Sequence, residues 1–196
     1  MRGPERPQWV AIVALMLALA ACHRSPHFIG TNITGVPWGG SFTLTRQNGR
    51  PFDTASLHGR VVLIYFGYTR CTDVCEPTLR RLARLVHRLG SAAARTQVVF
   101  VSIDPRHDTP ERRRKFLDHI DPQFIGLTGT QSQIARVVAQ FNVADTRHAK
   151  APPAERFTHS DGIYVEGPSG RLRLYVSGST PLRGLAHDIR RLLAGD

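Results

Sequence analysis

An apolar run that ends near a pair of cysteines constrains this chain more than any other feature. Six consecutive apolar residues, 61–66, lead into Gly67, and the cysteines follow at Cys71 and Cys75. Apolar residues at helical spacing come next, at Leu79, Leu82, Leu85, Val86 and Leu89. This order predicts a strand, a turn and a helix, with Pro77 at the first helical position.

The turn predicts convergence of the two thiols. If it continues helically, residues four apart share one face, so Cys71 and Cys75 point at the same place. A helix N-terminus favours negative charge and lowers the pKa of a nearby thiol. The thiolate both binds soft metals and attacks disulfides, so this pattern alone leaves either use open.

The N-terminus predicts export. Arg2 and Arg6 precede an uncharged apolar run over residues 9–21, which is a signal-peptide layout and is short for a membrane-spanning helix. The run ends Leu-Ala-Ala-Cys at Cys22, which resembles a bacterial lipobox, where the cysteine becomes lipidated after cleavage. An uncleaved anchor with an incidental cysteine is the alternative. Both interpretations place the rest of the chain outside the cytoplasm, on the periplasmic side of a bacterial membrane.

We therefore predict a signal peptide over residues 1–21, lipidation of Cys22, a tether over 22–40 and one domain over 41–196. The chain has 3 cysteines, so lipidation of one leaves only Cys71 and Cys75. A disulfide between them would close a very short loop and stabilise the fold little. A functional pair is the better interpretation.

The chain is strongly basic, with a net charge of +11. Export argues against nucleic acid as the partner. Arginines lie between apolar positions of predicted helices, and we interpret them as solvated helix faces. A weaker interpretation is attraction to anionic lipid or to an acidic surface on a partner. These arginines are Arg80, Arg81, Arg84, Arg88, Arg112, Arg113, Arg114, Arg190 and Arg191.

The remaining pattern predicts the fold class. Strands are expected over 98–103 and 124–127, and hairpins over 42–53 and 162–176. Helices are expected from Pro110, capped by Asp108 or Thr109, over 131–141, and over 181–193. Residues 142–157 predict a long loop. The order is that of a thioredoxin-like α/β fold with an N-terminal hairpin and an inserted loop before the second hairpin. In such a sheet the cysteines lie at the carboxyl end of the first main strand, where sites form.

Two thiolates and an imidazole are a soft ligand set. Thiolates select Cu(I) and imidazole suits copper in either oxidation state, whereas zinc usually takes four such donors. Of the 9 histidines, His159 follows the long loop and precedes the second hairpin, so we expect it to face the cysteine turn as the third ligand. His148 and then His107 are the reserve candidates. Surface positions are expected for the other histidines.

Four stretches together resemble the SCO/SenC family of copper chaperones and assembly factors for cytochrome c oxidase. They are the strand through Cys75, residues 101–111 with Asp104-Pro105, residues 127–130, and His159-Ser160 through residues 170–172. The resemblance implies a copper site of Cys71, Cys75 and His159, with copper as Cu(I) or Cu(II). It also implies Asp104 as a residue that orients or tunes the ligands.

The family also implies a destination for the metal, the dinuclear copper centre in cytochrome c oxidase subunit II. Other periplasmic copper chaperones or thiol reductants are implied as further partners. Two positions depart from the family, which usually has proline after each cysteine, whereas this chain has Thr72 and Glu76. The turn is then less rigid, and the Glu76 carboxylate disfavours the Cys75 thiolate.

Other functions stay open at this point. A periplasmic thiol–disulfide oxidoreductase would use the same cysteines, although its usual motif has two residues between them and this chain has three. A peroxiredoxin-like peroxidase would need a peroxide-binding motif around Cys71, which we do not find. The plainest alternative is an extracytoplasmic binding domain with a structural disulfide. A metallochaperone, rather than an enzyme, fits the spacing and His159 best.

Overall fold

The computed structural model describes residues 27–71, 73–143, 145–147, 157–159 and 162–195, with the backbone alone for 145–147 and 157–159. The strands are β1 (Thr31–Asn32), β2 (Thr43–Arg46), β3 (Pro51–Asp53), β4 (Val61–Gly67), β5 (Thr96–Ser102), β6 (Ile125–Thr128), β7 (Asp145–Arg147), β8 (Phe157–His159), β9 (Ile163–Glu166) and β10 (Leu172–Val176). The helices are α1 (Cys75–Arg88), α2 (Pro110–Asp118), α3 (Gln131–Gln140) and α4 (Leu182–Ala194). Short 3₁₀ turns span Thr54–Leu57 and Gly90–Arg95.

Eight strands form one sheet in the order β1-β10-β9-β4-β5-β6-β2-β3. The central strands β4, β5 and β6 are parallel, whereas β9 pairs antiparallel with β4. The β9–β10 hairpin and the β2–β3 hairpin extend the sheet on its two sides. The thioredoxin-like fold is therefore confirmed, and the β2–β3 hairpin is the N-terminal addition that the sequence predicts.

Helices cover both faces of the sheet. Every residue of β4 is buried, as expected for a strand covered on both sides. Tyr65 lies on the face of α1 with Cys75, and Phe66 points to the opposite face, where its ring lies 5.5 Å from that of Phe141 after α3. Phe116 of α2 packs on the α1 face, against Phe100 of β5, at a ring distance of 5.7 Å.

The predicted tether does not extend to Gly40. Residues 31–32 form β1, which pairs with β10, and Phe28 is buried in the core. The Asp188 carboxylate of α4 accepts hydrogen bonds from the backbone N–H groups of Ile29, at 3.0 Å, and Gly30, at 2.8 Å. These contacts stabilise residues 28–32, which lie inside the stretch 22–40 predicted as a tether, so the domain includes residues from Phe28. Cys22 lies outside the described residues.

Three further predictions need correction. Residues 145–147 and 157–159, predicted within or at the end of a loop, form the antiparallel pair β7–β8. Pro77 occupies the third helical position, because α1 begins at Cys75. Arg113 is buried, since its guanidinium donates to backbone carbonyls of Asp108 and Thr45. The helix periodicity that predicts a solvated face does not reveal these acceptors.

In the described part of the chain, no helix has the length and apolar character needed to cross a bilayer.

Candidate metal centre

The two cysteines lie where β4 ends and α1 begins. Cys71 sits in the turn and Cys75 is the first residue of the helix; the exposed fractions of these residues are 7% and 0%. The backbone N–H of Cys75 donates to the Cys71 sulfur at 3.4 Å, and the two thiols hydrogen-bond each other. No disulfide joins them. The convergence that the four-residue spacing predicts is confirmed.

Gly67 makes room for the Cys75 sulfur at the end of β4. A Cβ atom at this position would lie 2.8 Å from that sulfur, 3.1 Å from the Phe100 ring and 3.2 Å from the Tyr65 ring. Any side chain here would have to displace the sulfur or one of the two rings. Gly67 therefore sets how deeply the Cys75 thiol enters the core.

Burial, not the helix N-terminus, dominates the acidity of Cys75. Desolvation raises the pKa of its thiol well above the ordinary value, and the hydrogen bond with Cys71 raises it further. Hydrogen bonds from the Tyr68 backbone and the Tyr65 side chain act in the other direction without offsetting this. The expected lowering by the helix is thus wrong for Cys75, because the thiol points into the sheet and not into solvent.

Two tyrosines enclose the thiols. The Tyr65 hydroxyl hydrogen-bonds with Cys75 and Thr78. Burial is the main reason that its pKa is raised, and the neighbouring Cys75 raises it further. Tyr68 hydrogen-bonds with Cys71, and burial is the main reason that its pKa rises to about 12. Both hydroxyls therefore stay protonated at neutral pH and are available as hydrogen-bond donors to sulfur.

The loop after β5 holds the cysteine turn through Asp108. Its buried carboxylate accepts hydrogen bonds from the Thr69 backbone N–H at 2.9 Å, the Thr69 hydroxyl at 2.6 Å and the Ser102 hydroxyl at 2.5 Å. Thr109, not Asp108, caps α2, since its hydroxyl accepts the Arg112 N–H. The Asp108 carboxylate instead accepts hydrogen bonds from Thr69 of the cysteine turn.

Asp104 forms a second link to the same turn. Its carboxylate pairs with the Arg70 guanidinium at 2.8 Å and with His107 Nδ1 at 2.9 Å. Arg70 directly precedes Cys71, so this ion pair restrains the backbone that presents the first thiol. The contacts give Asp104 a means of orienting the turn; its role toward a metal stays a prediction.

The third predicted ligand lies at the end of β8. The backbone of His159 pairs with Asp145 of β7, and its side chain lies outside the described set. Among the side chains that the structure describes, no three of His, Cys, Asp or Glu are close enough to hold a metal. His107 is directed to Asp104, and His148 and Thr72 fall outside the described residues. His159 as ligand therefore stays a prediction.

The Glu76 carboxylate beside Cys75 is paired with an arginine. Its carboxylate accepts from Arg80 Nε at 2.9 Å and pairs with the same guanidinium one helical turn on. Burial and Cys71, not Glu76, are the causes of the raised Cys75 pKa.

Sequence reasoning missed Thr69, Ser102, Asp108, Gly67 and the two tyrosines. One signal was available, because the carboxyl ends of adjacent parallel strands meet at one sheet edge. Residues just after β5 were therefore candidates to contact residues just after β4. Tyr65 and Gly67 carry no such signal, since they read as ordinary members of an apolar strand.

A buried dithiol at the carboxyl end of the central strand defines a thioredoxin-like protein with a two-cysteine site. The SCO1/SenC family model matches residues 31–194, so the chain belongs to the SCO1/SenC family. The SCO2-like protein RC0895 of Rickettsia conorii is 36% identical over 146 residues, covering 73% of this chain and 71% of the relative.

Two solved structures extend the comparison. ScoI of Bradyrhizobium japonicum, solved with copper bound, is 32% identical with a TM-score of 0.71, covering 79% of this chain and 99% of that one. Apo Sco1 of Thermus thermophilus is 32% identical with a TM-score of 0.74, covering 85% and 97% of the two chains. The described fold is thus that of proteins solved both with and without copper.

Proposed function

We propose that this protein binds copper and serves in the assembly of cytochrome c oxidase, with Cys71, Cys75 and His159 as the copper ligands. The observation that carries the proposal is the contact between the Cys71 and Cys75 thiols in a buried, prearranged turn. Membership of the SCO1/SenC family and the copper-bound relative from Bradyrhizobium japonicum support it.

The donor set fits copper. Two thiols from one turn supply soft sulfur ligands, and Cu(I) prefers such ligands. Both are nearly excluded from solvent, which suits a metal that must be shielded until it is transferred. His159 would add an imidazole, which accepts copper in either oxidation state.

The protein's own groups would position the thiols before copper arrives. Asp108 holds Thr69, and Asp104 holds Arg70, so the residues before Cys71 are fixed from one side. Helix α1 fixes Cys75 from the other side. A prearranged site binds its metal with less ordering cost than a flexible pair of cysteines.

The location and destination form the finer part of the proposal. Lipidation of Cys22 would anchor the domain on the periplasmic side of the membrane, as residues 9–22 predict. The copper would be cargo for the dinuclear centre of subunit II of the oxidase. Periplasmic copper chaperones or thiol reductants would supply the metal or keep the dithiol reduced.

A Cu(I) titration against a competing chelator tests the site. The reduced chain from His27 should bind one equivalent, and Cys71→Ser or Cys75→Ser should abolish binding. His159→Ala should weaken it by more than about 10-fold, since even residues behind the ligands affect metal affinity that strongly. His119→Ala changes an exposed histidine after α2 and should leave the affinity unchanged. Equal affinities for His159→Ala and His119→Ala would remove His159 from the site.

The same cysteines distinguish the alternative function. A thiol–disulfide oxidoreductase would show little copper binding and rapid exchange of a Cys71–Cys75 disulfide with thiol substrates. The raised pKa of Cys75 disfavours the thiolate that both copper binding and disulfide exchange use, so it does not favour this alternative over copper binding. Loss of the oxidase's dinuclear copper signal in cells that carry Cys71→Ser would support the assembly role.

A further inference from the structure

Helices α1 and α4 expose a surface of arginines without compensating acids. We call it the arginine face and define it as Arg81, Arg84, Arg88, Arg183 and Arg190. None of these five pairs with an acidic residue in the described part of the chain. The two helices carry only two acids; Glu76 pairs with Arg80, and Asp188 is buried.

The two helices lie side by side. Arg190 Nη2 of α4 donates to the carbonyl of Arg88 at the end of α1, at 3.5 Å. Arg81 Nη1 donates to the carbonyl of Gly178, in the segment between β10 and α4, at 2.6 Å. These contacts place the arginines of α1 next to those of α4. Within the arginine face, burial first and then the charge of Arg84 lower the pKa of Arg81, as expected where positive charges are left uncompensated.

The N-terminal segment reaches the domain at the same helix. Asp188 of α4 holds the N–H groups of Ile29 and Gly30, and Phe28 is buried beside them. The 26 residues before His27 include the apolar run over 9–21 and Cys22. Six peptide steps from Cys22 to Phe28 span at most about 21 Å. A lipid on Cys22 would thus hold α4 close to the bilayer.

We propose that the arginine face binds the anionic headgroups of the membrane to which the N-terminus attaches. This inference rests on the proposed membrane attachment, and not on copper binding. Guanidinium groups bind phosphate oxygens through paired hydrogen bonds. An acidic protein surface would offer the same charge. The short connection from Cys22 to α4 favours the bilayer, because it keeps this part of the domain near the membrane surface.

The orientation keeps the cysteine turn accessible. Arg81, Arg84 and Arg88 lie about 9, 14 and 20 Å from Cys75 along the axis of α1, at 1.5 Å per residue. Contact through these residues leaves the first turn of the helix and its thiol uncovered, so a membrane-bound domain can still exchange its cargo with a partner.

Vesicle sedimentation tests the proposal with the chain from His27, which lacks the anchor but contains every core residue from Phe28 to Leu192. The vesicles are phosphatidylcholine alone or with 30 mol% phosphatidylglycerol, at low and high salt. The wild-type chain should bind only the anionic vesicles and should be released by salt. Far-UV circular dichroism and thermal unfolding of each variant check that the fold is retained.

A pair of charge-matched variants separates the arginine face from net charge. Arg84→Gln, Arg88→Gln and Arg183→Gln together should weaken binding about 100-fold, from roughly 5-fold for each arginine at an anionic surface. Arg50→Gln, Arg136→Gln and Arg171→Gln remove three exposed arginines elsewhere and should weaken it far less. Equal losses in the two triple variants would overturn the proposal.

Binding to polyglutamate and affinity for Cu(I) distinguish the remaining explanations. If both triple variants bind vesicles equally while only the first loses affinity for polyglutamate, the arginine face serves an acidic protein instead, which also overturns the proposal. Cu(I) affinity should be unchanged in the first triple variant, and vesicle binding should be unchanged in Cys71→Ser. Failure of the copper site and failure of the membrane contact are therefore distinguishable.

Discussion

Thr69 and Asp108 are 39 residues apart in the chain, and two hydrogen bonds join them at the edge of the cysteine turn. The Asp108 carboxylate accepts from the Thr69 N–H at 2.9 Å and from its hydroxyl at 2.6 Å. A third bond comes from the Ser102 hydroxyl at the end of β5. One buried carboxylate thus connects two neighbouring strand ends and fixes the turn that presents Cys71.

Replacing Asp108 by alanine should destabilise the domain substantially. The variant leaves the Thr69 N–H and the Ser102 hydroxyl without their acceptor. A buried donor without a partner costs about 1–3 kcal/mol, so we expect the free energy of unfolding to fall by about 3 kcal/mol. Urea unfolding followed by circular dichroism measures this change.

Asp118→Ala is the matched control for Asp108→Ala. Asp118 ends α2 with its side chain half exposed and pairs with Arg114 at 3.1 Å. Exposed pairs contribute little, so this variant should change the free energy of unfolding by less than about 1 kcal/mol. If the two variants lose the same stability, Asp108 does not hold the turn in the way described.

Gly67→Ala should weaken copper binding while leaving the ligands in place. The new methyl group would lie 2.8 Å from the Cys75 sulfur, and the rings of Phe100 and Tyr65 leave it no other space. The sulfur must move, and we expect an affinity for Cu(I) lower by roughly 10-fold or more, as for other changes behind metal ligands. Competition with a Cu(I) chelator measures the effect.

Gly167→Ala controls for the general cost of a glycine substitution. Its Cβ would lie 3.3 Å from Cγ of Arg173, a flexible side chain of the β9–β10 hairpin that can move aside. This variant should keep the wild-type Cu(I) affinity. An unchanged affinity in Gly67→Ala would show that the Cys75 sulfur has more freedom than its close contacts indicate.

Much of the fold could be predicted because apolar periodicity reports burial locally. The strand that became β4, the helix that became α1 and the β9–β10 hairpin all follow from patterns a few residues long. The convergence of Cys71 and Cys75 was predictable for the same reason, since residues four apart lie on the same face of one helical turn.

Several of the errors have a common cause, because they depend on contacts that are distant in the sequence. β1 pairs with β10, and Ile29 before it bonds to Asp188, each more than 140 residues away in the sequence, so part of the stretch expected as a tether is ordered. The pKa of Cys75 depends on how β4, β5 and α1 enclose the thiol, which local helix electrostatics does not reveal. The ligand role of His159 stays a prediction.

Arg113 and its neighbour Arg112 should respond differently to the same substitution. Arg113 is buried, and its guanidinium donates to the carbonyls of Asp108 and Thr45. Arg113→Ala leaves these acceptors unpaired and opens a cavity, so we expect the free energy of unfolding to fall by about 3 kcal/mol. Arg112 is exposed, and Arg112→Ala should change it by less than about 0.5 kcal/mol. Similar losses in urea unfolding would contradict the buried position of Arg113.

Glu166 should make the stability of the domain depend on pH. Its carboxyl group is buried at the end of β9, and Oε1 lacks a hydrogen-bond partner in the described part of the chain. Desolvation raises its pKa from 4.5 to about 7, although a hydrogen bond from the Gly40 backbone acts in the opposite direction. Between these two values the folded state retains a proton that the unfolded state releases.

The sign follows from this difference in proton binding. Because the folded state binds the extra proton, the free energy of unfolding falls as the pH rises from about 4.5 to about 7, by an amount on the order of 2–3 kcal/mol. Glu166→Gln cannot ionise and should lack this fall, so it should gain stability relative to the wild type between pH 5 and pH 8. Glu111→Gln is the control, since a hydrogen bond from Lys115 lowers the pKa of that carboxyl and both states are ionised across this range. Parallel pH profiles for the wild type and Glu166→Gln in urea unfolding would show that the Glu166 carboxyl is hydrated in solution.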